Sequence, residues 1–262
     1  MSRIARYNTN GSIHFGVLDG QHLHRVEGSP FDGLDLTGDT DALADVRLLS
    51  PLAAPRIFGV GANYIAHIAE MHMVTPTRPM LFMKPSSAIA GPGDPVILPH
   101  EANVTHYEAE LAVVIGKTAR RVSADDASDV ILGYTCANDI SERVIQKEEM
   151  DQGCLLIGKG YDTFCPLGPF IATGLDPSDL QLESRLNGKT RQSSSTSDLL
   201  FSVPELVSYL SQAITLQPGD VIITGTPSGV GEIAPGDVME IELEGVGVLS
   251  NPVVAEAGRP TA

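Results

Sequence analysis

Two glutamates one residue apart, Glu108 and Glu110, lie in the segment HYEAELAVVIG at residues 106–116. On a β-strand, residues i and i+2 point to the same face, so the two carboxylates would lie side by side. Their mutual repulsion disfavours ionisation unless a positive charge compensates it. The two glutamates could face solvent, but the strand continues into the apolar run LAVVIG, which predicts burial. The pattern leaves two alternatives, a solvated acidic face or a bound divalent cation.

A third carboxylate, Asp139, ends the strand-like segment YTCAND at residues 134–139. Three carboxylates without a cluster of histidines or cysteines favour a hard cation, Mg²⁺ or Mn²⁺, over zinc. Such a site keeps coordination positions for water and for an oxygen-bearing substrate. Asp139 could instead be the N-cap of the helical-looking turn ISER that follows it. The residues themselves leave both roles open.

The segment NYIAHIAEM at residues 63–71 contains a histidine and a glutamate three residues apart. If this segment is helical, His67 and Glu70 project from one face, and the carboxylate can orient the imidazole. A histidine oriented in this way can accept a proton from water as a general base. The alternative is an exposed ion pair on a solvated helix, which contributes little.

Two lysines and a threonine stand apart from the charged runs of the chain. Lys159, in the segment IGKGYDT, and Lys84, before Pro85, could each neutralise an oxyanion or enolate that develops beside a metal. Both could equally be surface lysines whose stems cover apolar residues. Thr226 lies in the glycine-rich turn TGTPSGVG at residues 224–231, whose N–H groups and hydroxyl could bind a carboxylate. This turn lacks the Gly-Lys-Ser/Thr ending of a P-loop, so no nucleotide site is predicted.

The composition restricts the possible partners and the compartment. The 262 residues include 17 Lys+Arg and 33 Asp+Glu, a formal charge of −16, so nucleic acid and anionic membranes are not expected partners. The sequence shows neither a signal peptide nor the roughly 20 consecutive apolar residues of a membrane span. Three scattered cysteines, Cys136, Cys154 and Cys165, fit a reducing compartment. We therefore expect a cytoplasmic protein.

The elements that must position these residues are mainly β-strands with a few helices. Short strand patterns recur between turn signals, and Pro-Gly-Asp occurs at residues 92–94, 218–220 and 235–237, each time before a strand pattern. A boundary near residue 52 divides a small N-terminal β domain (residues 1–52) from a larger domain (residues 53–262). Such a chain is typical of a sandwich or roll.

Two helices have capping signals. Ser123 and Asp126 precede a helix that is predicted to end at Gly133. Ser202 and Glu205 form a capping box before a second helix, on which Leu206, Leu210, Ala213 and Ile214 are predicted to share one face. Both are interpreted as helices that pack on the core.

Taken in order, six segments resemble the fumarylacetoacetate hydrolase family. They are NYxxHxxEM at 63–71, FMKPSSAIAGPGDPVILP at 82–99, YEAELAVVIG at 107–116, NDISER at 138–143, GKGYDTFCPLGP at 158–169 and TGTPSGVG at 224–231. The resemblance runs from about residue 55 to 255. It implies a mixed β-sandwich roll with a small N-terminal domain, a divalent metal, usually Mg²⁺ with Mn²⁺ also possible, and commonly a homodimer.

The resemblance also implies roles for individual residues. The carboxylates of Glu108, Glu110 and Asp139 would hold the metal. The His67–Glu70 pair would activate water on a segment that acts as a lid in relatives, and Lys159 would stabilise a carbanion or enolate. The expected substrate contacts are Arg143, Gln146, Thr226 and Lys84. Relatives often carry an aspartate directly after the arginine, where this chain has Val144, and this difference bears on the orientation of Arg143.

The leading functional hypothesis is hydrolysis of a carbon–carbon bond in an acylpyruvate-type 2,4-dioxo acid, which yields pyruvate and a carboxylic acid. His67, oriented by Glu70, would deprotonate the attacking water, and Lys159 would stabilise the enolate. The same enolate chemistry supports decarboxylation of oxaloacetate or another 2-oxo diacid, or keto–enol isomerisation of a dienoate from aromatic catabolism. A protein that binds 2-oxo acids without catalysis is the alternative from another class, although it has no use for a base.

Overall fold

The first 50 residues form an antiparallel meander whose strands are separated by turn-forming residues. In the computed structural model, which describes residues 1–258, Asn10 and Gly11 both have positive φ, as a two-residue hairpin turn requires. The strands of this part are β1 (Arg3–Thr9), β2 (Ser12–Asp19), β3 (His22–Val26), β4 (Leu36–Ala42) and β5 (Arg47–Leu49). β1 also pairs with a strand from the later part of the chain, so both parts share one sheet.

The rest of the described chain is built on three sheets. Its strands are β6 (Ile57–Gly61), β7 (Met80–Lys84), β8 (Ile89–Ala90), β9 (Val96–Leu98), β10 (Thr105–Tyr107), β11 (Ala109–Ile115), β12 (Ile131–Asn138), β13 (Ser141–Glu142), β14 (Cys165–Ala172), β15 (Gln181–Leu186), β16 (Lys189–Ser195), β17 (Val221–Ile223), β18 (Gly231–Glu232), β19 (Val238–Leu243) and β20 (Gly247–Ala255). A twelve-stranded sheet has the order β4-β3-β2-β1-β14-β12-β11-β17-β6-β7, with β5 on β1 and β8 on β14. The other two sheets have the orders β16-β15-β19-β20-β9 and β13-β10-β18. The predicted mainly β fold is confirmed.

β11 is paired with β12 on one side and with β17 on the other, and all seven of its residues are buried. Leu111, Val113 and Ile115 belong to one hydrophobic cluster, whereas Ala112 and Val114 on the opposite face belong to a second. Each fully buried Val, Leu or Ile side chain stabilises the fold by about 1.5–3 kcal/mol. Burial on both faces fixes this strand and carries the glutamates at its start into the interior.

The three Pro-Gly-Asp turns form as predicted and share one geometry. The glycines Gly93, Gly219 and Gly236 have positive φ, and strands begin shortly after them. The aspartate that follows each glycine accepts a hydrogen bond from the backbone N–H three residues earlier in the chain, at 2.7–2.8 Å. Each motif is therefore a turn that closes on its own aspartate, and a ligand role is not needed to explain it.

The described residues contain four α-helices, which are α1 (Ile65–Glu70), α2 (Arg143–Asp151), α3 (Ile157–Gly160) and α4 (Val203–Ala213). α4 begins with the predicted capping box, in which the Glu205 carboxylate accepts a hydrogen bond from the Ser202 N–H at 2.8 Å. Its buried face includes Leu206 and Leu210 as expected, but Ala213 is exposed. No helix among these residues is long and apolar enough to cross a membrane.

The helix predicted between Ser123 and Gly133 is wrong. Only Ala127–Val130 form a short 3₁₀ turn, and β12 already begins at Ile131. Gly133 lies so close to β14 that a Cβ atom there would be 2.4 Å from the carbonyl oxygen of Ala172. The glycine therefore permits the close approach of two strand backbones, and it does not end a helix.

Asp41 joins three strands of the N-terminal meander. Its carboxylate accepts hydrogen bonds from Tyr7 Oη at 2.6 Å and from Arg25 Nε and Nη2 at 2.7 and 2.9 Å. The hydrogen bonds from Arg25 outweigh the effect of burial and lower the pKa of Asp41 to about 2. A carboxylate whose pKa falls on folding contributes stability above its unfolded pKa of about 3.9, and this contribution disappears as the pH falls towards the folded value.

We expect Asp41→Asn to lower the free energy of unfolding by about 1–2 kcal/mol at neutral pH. The difference from the unsubstituted protein should then shrink between about pH 4 and pH 2. Urea unfolding of both proteins across this range measures it. A difference that stays constant down to the lowest pH would show that the charge of Asp41 contributes nothing to stability.

Candidate active site

A cavity of about 500 Å³ opens beside the start of β11. It is bounded by α1, β7, β10, α2 and the turn at residues 224–231. Eight of the ten predicted site residues line it, and these are His67, Glu108, Glu110, Asp139, Arg143, Gln146, Lys159 and Thr226. The two that do not line it are Glu70 and Lys84. The sequence motifs, which are far apart along the chain, therefore meet at one place.

The three carboxylates predicted to hold a metal converge at the inner end of this cavity. β11 carries Glu110 and follows directly on Glu108, and Asp139 follows β12, which pairs with β11 so that Ala109 lies opposite Asn138. One oxygen atom from each carboxylate lies within 4.8 Å of the others. All three side chains are buried. The antiparallel register of two strands thus brings the acidic cluster together.

Buried cations surround two of the carboxylates. Lys159 Nζ donates to Glu108 Oε2 at 2.7 Å and to Asp139 Oδ2 at 2.6 Å, and Arg143 Nη2 donates to Glu108 Oε1 at 2.5 Å. Burial alone would raise the pKa of Glu108, but the charges of Arg143 and Lys159 outweigh it and hold this pKa well below its usual range. Glu108 is therefore ionised and fixed in orientation.

Glu110 has a different environment. Burial, followed by the nearby charges of Asp139 and Glu108, raises its pKa well above the usual value. Its carboxylate accepts a hydrogen bond from the backbone N–H of Gly225 at 2.6 Å. Gly225 has a φ of +98°, and a Cβ atom there would lie 2.8 Å from Cβ of Asn63, so only glycine fits this contact. Of the three clustered carboxylates, Glu110 is the one without a salt bridge to a lysine or arginine among the described residues.

Lys84 lies behind the acidic cluster and does not line the cavity. The structure therefore differs from the prediction that Lys84 contacts the substrate. Its ammonium group donates to Asp139 Oδ1 at 2.5 Å and to the carbonyl oxygen of Ile140 at 3.1 Å, and its side chain is fully buried. Alternation along β7 turns Lys84 towards the interior. Its position suits the orientation of Asp139 better than contact with a substrate.

His67 and Glu70 form the predicted pair on α1. His67 Nδ1 lies 3.0 Å from Glu70 Oε2, and the His67 side chain is only 8% exposed, unlike a pair on a solvated helix. The other oxygen of Glu70 accepts a hydrogen bond from the N–H of Gly229 at 3.0 Å. Glu70 therefore orients the imidazole and also ties α1 to the turn at residues 224–231. The second imidazole nitrogen remains available to the cavity.

Two polar residues of the site carry no role in the sequence-based predictions. Gln192 Nε2 donates to Thr226 Oγ1 at 2.7 Å and to the carbonyl oxygen of Pro227 at 2.8 Å, so it orients the predicted carboxylate contact. It lies on β16 in the polar segment KTRQSSS, which resembles a surface strand. His106 lines the cavity, and its alternation with Glu108 along the chain is the signal that could have identified it.

α2 carries the next predicted substrate contacts. Its N-cap is Glu142, so the alternative capping role of Asp139 is not the one that begins this helix. Arg143 Nη1 donates to Gln146 Oε1 at 2.8 Å. Val144, which replaces the aspartate common in relatives, is 39% exposed. Arg143 is thus oriented by Glu108 and Gln146 without help from the residue that follows it.

Two sequence profiles match the chain. The profile described as "Rv2993c-like, N-terminal" matches residues 2–51, and the profile described as "Fumarylacetoacetate (FAA) hydrolase C-terminal" matches residues 56–254. The chain belongs to the fumarylacetoacetate hydrolase family. The boundary near residue 52 falls between the two matched ranges and stays a prediction, because β1 and β14 pair across it.

Of two similar relatives of the chain, the second carries an activity in its name. Protein Rv2993c of Mycobacterium tuberculosis is 42% identical over 268 residues, which cover 98% of this chain and 100% of that protein. A mitochondrial oxaloacetate tautomerase of Xenopus laevis is 40% identical over 222 residues, which cover 80% of this chain and 69% of that protein.

Solved structures of the family agree with the fold. The crystal structure of 2-hydroxyhepta-2,4-diene-1,7-dioate isomerase from Mycobacterium marinum has a TM-score of 0.90 and 41% identity, with 98% of this chain and 100% of that chain covered. Maleylpyruvate hydrolase from Sphingobium sp. SYK-6, in complex with manganese(II) and pyruvate, has a TM-score of 0.80 and 34% identity, with 97% and 99% covered. The family thus includes isomerases, tautomerases and hydrolases.

Glu149, on the same helix as Arg143, holds the segment that carries Lys159. Its carboxylate accepts hydrogen bonds from the backbone N–H groups of Leu156, Ile157 and Gly158 at 3.0, 2.7 and 3.0 Å. These hydrogen bonds together lower the pKa of Glu149 against the effect of burial. α3 has only four residues, so it can hold Lys159 in a fixed orientation only if the backbone N–H groups at its start are bound in this way.

We expect Glu149→Gln to lower turnover about tenfold, because one amide oxygen cannot accept all three N–H groups and Lys159 loses its fixed orientation. The Michaelis constant and the thermal midpoint should change little. Glu148→Gln, an exposed neighbour on the same helix, is the matched control. Equal turnover in the two variants would contradict the positioning role of Glu149.

Proposed function

We propose that this member of the fumarylacetoacetate hydrolase family is a divalent-metal-dependent enzyme that hydrolyses a carbon–carbon bond in acylpyruvate-type 2,4-dioxo acids and releases pyruvate. The observation that carries the proposal is that a buried histidine oriented by a glutamate lines the same cavity as three buried carboxylates. The proposal includes a cytoplasmic homodimer. Cys136 and Cys165 are given no part in the chemistry, because both are buried and neither lines the cavity, and burial raises the pKa of each to about 12.

The acidic cluster fits a hard dication. All of its donors are carboxylate oxygens, which Mg²⁺ and Mn²⁺ prefer, and one oxygen from each residue lies within 4.8 Å of the others. Glu110 forms no salt bridge with a lysine or arginine within residues 1–258, so it is the member of the cluster whose carboxylate is left for an added cation. Bound Mg²⁺ or Mn²⁺ supplies Lewis-acid stabilisation of the negative charge that develops on a 2-oxo group. Glu108, Glu110 and Asp139 would hold it.

The protein's own groups supply the proton transfer. Glu70 accepts the hydrogen bond of His67 Nδ1–H, which leaves Nε2 as the basic nitrogen. Nε2 takes a proton from a water molecule in the cavity, and the water oxygen attacks the C4 carbonyl. The C3–C4 bond then breaks, which gives the carboxylic acid and the enolate of pyruvate, and the enolate takes a proton at C3 from the imidazolium to give pyruvate. His67 and Glu108 line the same cavity, so a water molecule activated by His67 would lie in the space onto which the carboxylate cluster opens. Glu70 stabilises the imidazolium that results.

Lys159 and Thr226 would bind the pyruvate half of the substrate. Lys159 Nζ, held between Glu108 and Asp139, lines the cavity beside the acidic cluster, where it would stabilise an enolate oxygen. Thr226 Oγ1 accepts its hydrogen bond from Gln192, so its own O–H can donate to the substrate carboxylate. Arg143, in contact with Glu108, contributes a further positive charge.

A second candidate function is keto–enol tautomerisation or decarboxylation of a 2-oxo diacid such as oxaloacetate. The similarity to an oxaloacetate tautomerase and to a dienedioate isomerase supports it. Decarboxylation needs the carboxylate cluster and Lys159 but no attacking water, whereas tautomerisation needs in addition a base that takes the proton from C3. The oriented base His67 therefore favours hydrolysis over decarboxylation, and it also argues against a protein that only binds 2-oxo acids.

The test is a panel of acetylpyruvate, a longer acylpyruvate, oxaloacetate and a hydroxymuconate-type diacid, assayed with Mg²⁺, with Mn²⁺ and with chelator. Pyruvate and CO₂ are followed separately. We expect metal-dependent pyruvate release from the acylpyruvates without CO₂. Turnover of oxaloacetate or of the diacid with no cleavage of either acylpyruvate would overturn hydrolysis in favour of the second candidate.

A further inference from the structure

The cavity lining becomes less polar along one row of residues. Glu110, Glu108, His106 and Val104 line the cavity at alternate positions of the chain. At about 3.3 Å per residue of extended chain, the row reaches about 13 Å beyond Glu108, the nearer member of the acidic cluster. It passes from buried carboxylates through one imidazole to an aliphatic side chain. A substrate whose reacting end lies at the cluster therefore extends over an increasingly apolar surface.

The outer walls of the cavity are apolar and come from three separate segments. Two methionines follow α1, two apolar residues lie on β7, and two more lie at or after the end of α2. These residues are Met71, Met73, Met80, Leu81, Met150 and Leu155. Methionine side chains are flexible and polarisable, so walls of this kind accommodate apolar groups of varied shape. These six residues come from three segments of the chain and line one cavity, which distinguishes them from apolar residues scattered over the surface.

The cavity offers no free cation to a second carboxylate of a substrate. Lys147, at the outer end, pairs with Asp151 one helical turn later at 2.6 Å. Arg143 and Lys159 are bound to Glu108 at the inner end. Within residues 1–258, each lysine or arginine that lines the cavity is thus paired with a protein carboxylate. A distal carboxylate would lose hydration against methionine side chains and would gain an ion pair only by competing with a protein carboxylate.

The volume also exceeds what a small oxo acid needs. About 500 Å³ is within the range of sites that enclose drug-sized ligands. Oxaloacetate or acetylpyruvate would leave the outer, apolar part to water. An occupant that removes this surface from water gains affinity roughly in proportion to the apolar area that it covers.

We propose that the acyl part of the substrate is an uncharged aliphatic or aromatic group longer than acetyl, bound against the methionine walls. The inference rests on the proposed function for the location of the reacting end. The proposal excludes small oxo acids, and oxo acids with a second carboxylate at the far end, as preferred substrates. Relatives with diacids in their names nevertheless share the fold.

The test uses binding, so that it is separate from hydrolysis. Calorimetry with Mg²⁺-loaded protein compares 2-oxooctanoate with 2-oxooctanedioate, which have the same length and lack the 4-oxo group needed for cleavage. We expect the monoacid to bind at least about tenfold more tightly, and each added methylene in a series of 2-oxo acids to raise affinity roughly three- to fourfold. Equal or tighter binding of the diacid, or no binding of either acid, would overturn the inference.

A pair of variants on one strand locates the effect. Met80→Lys places a free cation on the wall and should reverse the preference towards the diacid. Met83→Lys lies on the same strand outside the cavity and should leave the preference unchanged. Equal preferences in the two variants would overturn the assignment of the acyl group to this wall. If acetylpyruvate is not cleaved but the monoacid preference holds, the proposed hydrolysis fails and the inference about the acyl group stands.

Discussion

Glu110→Gln is expected to lower metal-dependent activity by about 100- to 1,000-fold while the protein keeps its fold. Glutamine retains the oxygen that accepts the Gly225 N–H, so the turn at residues 224–231 stays attached to β11. What is lost is one of three anionic oxygens that would hold the cation. Glu110 is a better position for this test than Glu108, whose removal would also leave Arg143 without its ion-pair partner and Lys159 with Asp139 alone.

Three measurements separate loss of the metal from loss of the fold. Calorimetric titration with Mn²⁺ should show weaker binding by the Glu110→Gln variant, and unfolding in chelator should show a thermal midpoint close to that of the unsubstituted protein. Glu148→Gln, an exposed glutamate on α2, should behave as the unsubstituted protein in both assays and in turnover. Unchanged Mn²⁺ affinity in the Glu110→Gln variant would remove Glu110 from the metal site.

His67→Ala is expected to slow acylpyruvate hydrolysis by about 100- to 10,000-fold, the usual contribution of a general base. Decarboxylation of oxaloacetate, if the protein supports it, should change far less, because it needs neither an activated water nor a base that removes a proton from carbon. The difference between the two losses is the informative quantity, since both substrates use the same carboxylate cluster. Parallel assays of pyruvate and CO₂ release measure it.

The nearby His72 supplies the control for this variant. It is exposed directly after α1 and has a φ of +53°, which asparagine tolerates better than alanine, so His72→Asn is the appropriate substitution. His72→Asn should leave hydrolysis unchanged. Equal losses of hydrolysis and oxaloacetate decarboxylation in the His67→Ala variant would assign His67 to substrate binding and not to water activation.

The sequence predicted the parts of the site that local patterns determine. The apolar run after Glu110 predicts a buried strand, and burial of its residues on both faces is what carries two carboxylates inside. The spacing of His67 and Glu70 predicts contact within one helical turn, and the two side chains are 3.0 Å apart. In each case the residues that interact are neighbours along the chain, so propensity and periodicity are sufficient.

Contacts between distant segments were not predictable in this way. Lys84 turns towards Asp139 because β7 is the edge strand beside β6, and no local pattern distinguishes this from an orientation into the cavity. Gln192 belongs to a polar hairpin and becomes buried only through its contact with the turn that carries Thr226. The failed helix prediction before Gly133 has the same origin, since pairing of Ile131 with Ile115 of β11 overrides a local capping signal.

The central claim is that Glu108, Glu110 and Asp139 hold one divalent cation beside His67. Anomalous diffraction from crystals soaked in Mn²⁺ tests it most directly. The account predicts one manganese peak in direct contact with an oxygen of each of the three carboxylates, at the inner end of the cavity that His67 lines. A protein that binds Mn²⁺ in solution but shows its peak elsewhere, or bound to none of these three residues, would contradict it.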